Sequence, residues 1–152
     1  MEEIAYGITR EWYFDRRIVV YAISLLNITI LRIWANEVMS SLVSWSKDRP
    51  YLALHDLSTP GIGLSYIVLA RAYLLNPAIT SFGSDQLRKL MEAHPDFRVY
   101  LAVVLSQNYS ELITPATAQR FTADNPRITT AIFFDRSVAL QWLVDVGIPP
   151  EE

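Results

Sequence analysis

The sequence predicts a single α/β domain in which helices pack on a mostly parallel β-sheet. Three observations lead to this fold class. Apolar, strand-like segments alternate with helical segments over most of the chain, an order typical of right-handed crossovers between parallel strands. Only five residues separate the first two strand-like segments, which favours an opening β-hairpin. Of the 152 residues, 51% are hydrophobic, enough to fill one sizeable core.

The opening hairpin is indicated by residue type. Residues 4–12 and 18–24 are rich in Ile, Val, Tyr and Trp, which are the residues that favour strands. Residues 13–17 lie between them and are expected to form a short polar tip. No internal repeat or low-complexity linker follows, so residues 1–152 are expected to form one domain.

A helix and a buried strand are predicted next. Apolar residues recur every three or four positions over residues 30–47, which is one face of an amphipathic helix. The stripe consists of Leu31, Trp34, Val38, Leu42 and Trp45. Asn27 or Thr29 can cap this helix, and Pro50 stops it, because proline disfavours helical geometry in the residue before it. Tyr51–Leu57 then reads as a short buried strand.

The second half continues the alternation. The predicted elements are helices at 65–75 and 84–93, a strand at 99–105, a helix at 109–122, a strand at 128–134 and a helix at 136–146. Ser84 and Asp135 are predicted to cap the helices that follow them. The residues expected to face the core from the 84–93 and 136–146 helices are Leu87, Leu90, Met91, Val138, Leu140, Trp142 and Leu143.

Composition excludes several functions. A net charge of −3 argues against a general nucleic-acid binder, which needs clustered Lys and Arg. The absence of cysteine removes disulfides, thiolate metal sites and cysteine nucleophiles. The acidic start, Met1-Glu2-Glu3, is unlike a secretory signal, and no apolar run reaches the roughly 20 residues of a spanning helix. We therefore expect a cytoplasmic protein without membrane insertion.

Two stretches carry a family resemblance. One is the junction Asp56-Leu57-Ser58-Thr59-Pro60-Gly61-Ile62, where an apolar strand meets a carboxylate, two hydroxyls and a Pro-Gly break. The other is the closing segment Ile132-Phe133-Phe134-Asp135-Arg136-Ser137-Val138-Ala139-Leu140-Gln141-Trp142-Leu143. Both stretches, and the order of elements, resemble the STAS domain of anti-sigma-factor antagonists. The first is similar to that family's Asp-Ser-Ser-Gly-Leu motif, and the second to its closing strand, acidic turn and helix.

The resemblance implies a non-catalytic regulatory domain that binds a kinase-like or sigma-regulatory protein. It places a phosphorylation switch on Ser58 or Thr59, within an interaction surface that also includes Asp56, Gly61 and Gly63. The alternative is that both hydroxyls only cap the following helix. Charged residues make up 19% of the chain, below the roughly 25% of an average domain. A surface this poor in charge is compatible with self-association, so a homodimer is a further hypothesis.

An enzyme is the weakest of the functional hypotheses. His55 and His94 are the only histidines, and no metal-ligand spacing joins them to carboxylates. His55 and Asp56 are neighbours on a strand and are expected to point to opposite faces, so with Ser58 they do not make a catalytic triad. No cofactor or metal is expected.

A second functional hypothesis is a small-molecule carrier or sensor with a pocket at the carboxyl ends of the strands.

Overall fold

The computed structural model describes residues 1–62, 77–107 and 126–149, and within them six strands form one sheet. The strands are β1 Glu2–Ala5, β2 Ile8–Tyr13, β3 Ile18–Ile23, β4 Tyr51–Leu57, β5 Val99–Leu105 and β6 Ile128–Phe133. The helices of these residues are α1 Ile28–Ser44, α2 Pro77–Ala93 and α3 Arg136–Gly147. The predicted α/β class is confirmed.

The strands lie in the sheet in the order in which they occur in the chain. β1 pairs with β2, and β2 with β3, in antiparallel fashion, whereas β3 to β6 are parallel neighbours. The parallel strands therefore all begin at one end of the sheet, here called the amino end, and finish at the other, the carboxyl end. The polar residues that follow β4 and β6 consequently lie at the same end.

The opening hairpin is confirmed, but its first arm is two strands rather than one. A turn at Tyr6 and Gly7 separates β1 from β2, and Gly7 has a φ of +93°. That left-handed conformation costs glycine little, so the chain can reverse there. The tip between β2 and β3 also carries left-handed residues, Phe14, Asp15 and Arg16. β1 was not predicted as a separate strand, because the residue types of 4–12 are those of one continuous strand.

α1 confirms the predicted amphipathic helix. The side chain of Asn27 accepts a hydrogen bond from the backbone N–H of Ile30 at 2.9 Å, so Asn27 is the cap. Trp34 and Trp45, from the predicted stripe, are both buried. The helix ends at Ser44, and the ammonium group of Lys47 donates hydrogen bonds to the last carbonyls, including that of Leu42 at 2.7 Å.

α2 begins seven residues earlier than predicted. It starts at Pro77, so position 84 lies inside the helix and Ser84 is not its N-cap. Proline is well suited to the first turn of a helix, because its missing N–H would have no partner there. The core-facing prediction holds for Met91, which is buried, while Leu87 and Leu90 are partly buried. The predicted helices at 65–75 and 109–122 lie outside the described residues.

The predicted cap of α3 is confirmed, but one residue predicted to face the core, Val138, points to solvent. Asp135 accepts hydrogen bonds from the backbone N–H groups of Ser137 and Val138. Val138 is 55% exposed, against the expectation that it would face the core. Ala139 and Leu143 are the buried residues, because they share the face that rests on the sheet.

The sheet separates two hydrophobic layers. In β4, Tyr51, Ala53 and Leu57 pack with α1 and α2, while Leu52 and Leu54 pack with α3 on the opposite face. This alternation follows from the two-residue period of a strand. β5 likewise contributes buried residues to both layers, as its continuous apolar run predicts.

Candidate functional site

The site begins with Asp56, the last but one residue of β4. Its side chain is 13% exposed and lies on the face that α3 covers. One carboxylate oxygen, Oδ1, accepts hydrogen bonds from the backbone N–H of Ser58 at 3.0 Å and from its hydroxyl at 2.5 Å. Asp56 is therefore bonded to its own turn, as Asp residues often are.

Arg136 joins Asp56 to a second carboxylate. It is the first residue of α3, and its Nη1 lies 3.5 Å from Asp56 Oδ2. Its Nη2 lies 2.9 Å from Oε2 of Glu11, which comes from β2. One guanidinium group thus connects β2, β4 and α3 across the intervening strand β3. We call Glu11, Asp56 and Arg136 the charged triad.

Tyr13 extends the charged triad toward the hairpin tip. Its hydroxyl donates a hydrogen bond of 2.7 Å to Oε2 of Glu11, the same oxygen that Arg136 contacts. This hydrogen bond, reinforced by burial, raises the pKa of Tyr13 above that of a free tyrosine. The phenol consequently remains a hydrogen-bond donor to Glu11 at neutral pH.

The two resembling stretches share one local geometry. Oδ1 of Asp135 accepts the backbone N–H of Ser137 at 2.8 Å and its hydroxyl at 2.5 Å, just as Asp56 does with Ser58. The hydrogen bond from the Ser137 hydroxyl is the largest cause that lowers the pKa of Asp135. Both Asp-x-Ser turns lie at the carboxyl end of the sheet. Arg136 is the middle residue of the second turn, and its guanidinium group contacts Asp56 of the first.

The loop after β4 is exposed. Ser58, Thr59, Pro60 and Gly61 are all at the surface, whereas Ile62 is buried and anchors the end of the turn. The backbone N–H of Ile62 donates to the carbonyl of Thr59 at 3.1 Å. Gly61 has a φ of +86°, a conformation that favours glycine. Gly63, the last of the predicted site residues, lies outside the described residues.

His55 belongs to the other face of β4. Its ring makes edge contacts with Trp34, at a centroid distance of 4.9 Å, and with Tyr21, at 5.8 Å. Its Nε2 has no hydrogen-bond partner within the part of the chain that the structure describes. Burial lowers the pKa of His55 to about 3, so the ring is neutral at physiological pH. The rejection of a triad of His55, Asp56 and Ser58 agrees with this placement on opposite faces.

Asp56 and Ser58 were predicted from the sequence, whereas Glu11, Tyr13 and Arg136 were not. One local signal pointed to Arg136. A cation in the first turn of a helix is disfavoured by the helix dipole, so an arginine there calls for carboxylates from elsewhere in the fold. The partner Glu11 has no such signal, because pairing across β3 is a property of the sheet.

Among the described residues, no three His, Asp or Glu side chains are grouped as a metal ion requires. The helices α1, α2 and α3 are too short or too polar to cross a bilayer. Comparisons of the chain with protein-family models, with curated proteins and with solved structures found no match. Membership of the STAS-like family stays a prediction from the residues quoted above.

Proposed function

We propose that this protein is a non-catalytic, STAS-like regulatory domain that binds a protein partner through the carboxyl end of its sheet. The surface is centred on residues 58–61 and the start of α3. The partner is a kinase-like or sigma-regulatory protein, as the resemblance implies. One observation carries the proposal: the exposed hydroxyl of Ser58 is connected through Asp56 to Arg136, and so to a whole helix.

The charges around Ser58 support regulation by a phosphate group. A phosphoserine adds a charge of about −1.5 to −2. At Ser58 it would lie against the carboxylate of Asp56, whose Oδ1 now accepts the hydroxyl proton. That contact would become repulsive, while the guanidinium of Arg136 would attract the phosphate.

Arg136 supplies the route from the modified loop to the fold. Its contact with Asp56, at 3.5 Å, is longer than its 2.9 Å contact with Glu11. A phosphate on Ser58 is therefore expected to draw Arg136 away from Asp56 more easily than from Glu11. Because Arg136 begins α3, that movement would alter the surface formed by the loop and the first turn of the helix.

Partner capture from native lysate, followed by mass spectrometry, tests the proposal. The baits are the wild type, the variant Ser58→Glu/Thr59→Glu and a control, Ser40→Glu. Ser40 is exposed on α1 and takes no part in the loop or the charged triad. A kinase-like or regulatory protein retained by wild type and by the control, but lost from the double variant, is the expected result.

A fourth bait separates the effect of added negative charge from the effect of losing the hydroxyl groups. Ser58→Ala/Thr59→Ala removes both hydroxyls without adding negative charge, so it should retain the partner if phosphate repulsion is the switch. Retention of one identical set of proteins by all four baits would contradict the proposal. So would the absence of any retained protein from the wild-type bait.

A further inference from the structure

A cleft lies at the amino end of the sheet, opposite the proposed interaction surface. It has a volume of about 350 Å³ and forms where α1 passes into β4, beside the corner that leads into β5 and the last turn of α3. Ligand pockets commonly measure ~300–1,000 Å³, so the space suits a small molecule. The pocket expected from the sequence was at the carboxyl end, and residues 63–76 and 108–125, which come after β4 and β5 on that side, lie outside the described residues.

Two arginines face this cleft. Arg98 directly precedes β5 and Arg49 lies two residues before β4, so with Tyr51 paired to Val99 the two arginines are offset by one residue at the amino end of the sheet. The guanidinium of Arg49 lies over the ring of Trp45, 6.0 Å from its centroid. Neither arginine forms an ion pair with a carboxylate in residues 1–62, 77–107 or 126–149. Both side chains are exposed and available to an anion.

Lys47 removes an obstacle to anion binding. The carboxyl end of α1 lies at the cleft, and free carbonyls there would repel an anion. The ammonium group of Lys47 donates to the carbonyls of Leu42, Val43 and Trp45, at 2.7, 3.1 and 2.5 Å. It also lies 5.3 Å from the ring centroid of Phe97. The helix end is thereby neutralised at the wall of the cleft.

The charged side chains of the cleft balance one another. Asp48 and Asp96 are its two carboxylates, and Asp48 already accepts a hydrogen bond from the hydroxyl of Ser46. Because Lys47 is directed at the end of α1, Arg49 and Arg98 are the cations that offset these carboxylates. The cleft is therefore close to neutral in a chain whose net charge is −3.

The cleft also has an apolar wall. Pro50, Tyr100 and Val146 contribute to it, and the ring of Tyr100 is held by an edge contact with Trp142 at a centroid distance of 6.2 Å. Phe97 lies behind Lys47 and is only 1% exposed. A bound molecule would therefore meet both guanidinium groups and ordered apolar side chains.

We propose that this cleft binds a small organic anion, with its phosphate or carboxylate group on Arg49 and Arg98 and its apolar body against Tyr100 and Val146. The proposal is independent of the interaction surface at the other end of the sheet. The ligand would combine one anionic group with a small apolar body. A bare anion would leave the apolar wall uncovered, and a neutral molecule would leave both arginines without a partner.

Isothermal titration calorimetry of the full chain with phenyl phosphate tests this inference. Inorganic phosphate and benzyl alcohol serve as the matched probes that lack the ring or the charge. Saturable binding of one phenyl phosphate per chain is expected, with each of the two simpler probes at least about tenfold weaker. Equal binding of inorganic phosphate would overturn the apolar part of the proposal, and absence of saturable binding would overturn all of it.

Two variants locate the site. Arg49→Gln/Arg98→Gln should weaken the binding of phenyl phosphate at least about tenfold, which is ~1.4 kcal/mol, because it removes the charge-assisted hydrogen-bond donors to the phosphate group. The control Arg32→Gln/Lys89→Gln removes two exposed charges that do not line the cleft and should change the affinity less than twofold.

Val146→Trp fills the cleft from α3 without changing its charge and should also weaken binding. Val146 is 38% exposed, so the larger side chain can be accommodated without unfolding the helix. Thermal melting of each variant confirms that it is folded. Equal weakening by the control pair, or unchanged binding to Val146→Trp, would contradict the proposed location.

Discussion

Arg136 and Glu11 are 125 residues apart in the chain and meet at 2.9 Å, so the last helix of the described fold is tied to one of its first strands. We predict that this pair contributes about 0.5–1 kcal/mol, the upper part of the range for ion pairs with partial exposure. Their side chains are 35% and 28% exposed, so salt should weaken the interaction. A double-mutant cycle with Glu11→Gln and Arg136→Gln, measured by urea unfolding, gives the coupling energy.

The matched control is the ion pair of Arg88 and Glu92 on α2. These side chains are 57% and 64% exposed and four residues apart, so their coupling should be about 0.3 kcal/mol. A coupling of Arg136 and Glu11 that is no larger than this control, or that does not fall in 1 M salt, would show that the charged triad has no structural role.

The two partners of the buried hydrogen bond between Ser41 and Tyr51 are predicted to contribute unequally to stability. Their oxygens are 2.7 Å apart, and the Ser41 hydroxyl also donates to the carbonyl of Val38, so Tyr51 is the donor to Ser41. Burial raises the pKa of Tyr51 far above its ordinary value, which keeps the proton on the phenol. Ser41→Ala would leave that donor buried without a partner, at a cost of about 1–3 kcal/mol.

Tyr51→Phe is expected to cost less, about 0.5–1.5 kcal/mol, because Ser41 keeps its hydrogen bond to Val38. Urea unfolding of the two single variants at neutral pH compares them directly. If Tyr51→Phe proves the more destabilising, then Ser41 is not the residue that satisfies the buried phenol.

Because the His55 ring is buried, we predict that the protein loses stability in mild acid. Its pKa is about 3 in the folded protein, because burial disfavours the charged ring, against 6.5 for an exposed histidine. The stability that this group contributes is fully present above pH 6.5 and is lost as the pH falls toward 3, because the unfolded chain binds a proton there. Between pH 7 and pH 5 the loss attributable to His55 is about 2 kcal/mol.

The free energy of unfolding at pH 7 and pH 5 measures this effect. His55→Phe keeps a ring beside Trp34 and removes the titration, so its stability should fall by about 2 kcal/mol less than that of the wild type over this interval. The same pH dependence in wild type and His55→Phe would refute the assignment.

Gly147 is predicted to be required by close packing. A methyl group at this position would lie 2.6 Å from Cδ1 and 2.9 Å from Cγ of Leu52, and it would press on Cδ2 as well. Leu52 is 2% exposed and has little room to move, so Gly147→Ala should cost about 1–3 kcal/mol. Thermal or urea unfolding measures the loss.

A compensating change identifies the cause. Leu52→Val shortens the side chain that the new methyl group would strike, so it should be less harmful in the Gly147→Ala background than in the wild type. Purely additive effects of Leu52→Val and Gly147→Ala would indicate that the clash with Leu52 is not the reason for glycine at this position.

By itself, the sequence determined the parts of this protein that depend on neighbouring residues. The bounds of Tyr51–Leu57 and Val99–Leu105 are those expected from their apolar runs. Asp135 caps α3 as predicted, and α1 is capped by Asn27, one of the two residues predicted for that role. Strand alternation, helical period and capping all act within a few residues. They therefore leave a readable pattern in the chain.

Tertiary structure alone decided how distant segments meet. The contact of Arg136 with Glu11 depends on the register of β2 against β3 and of β3 against β4, and the cleft depends on where α1 and α3 end relative to the strands. Local preference also did not determine the outward turn of Val138, which follows from how α3 rests on the sheet. These relationships bring together residues up to 125 positions apart, and their free energies arise only once the sheet has formed.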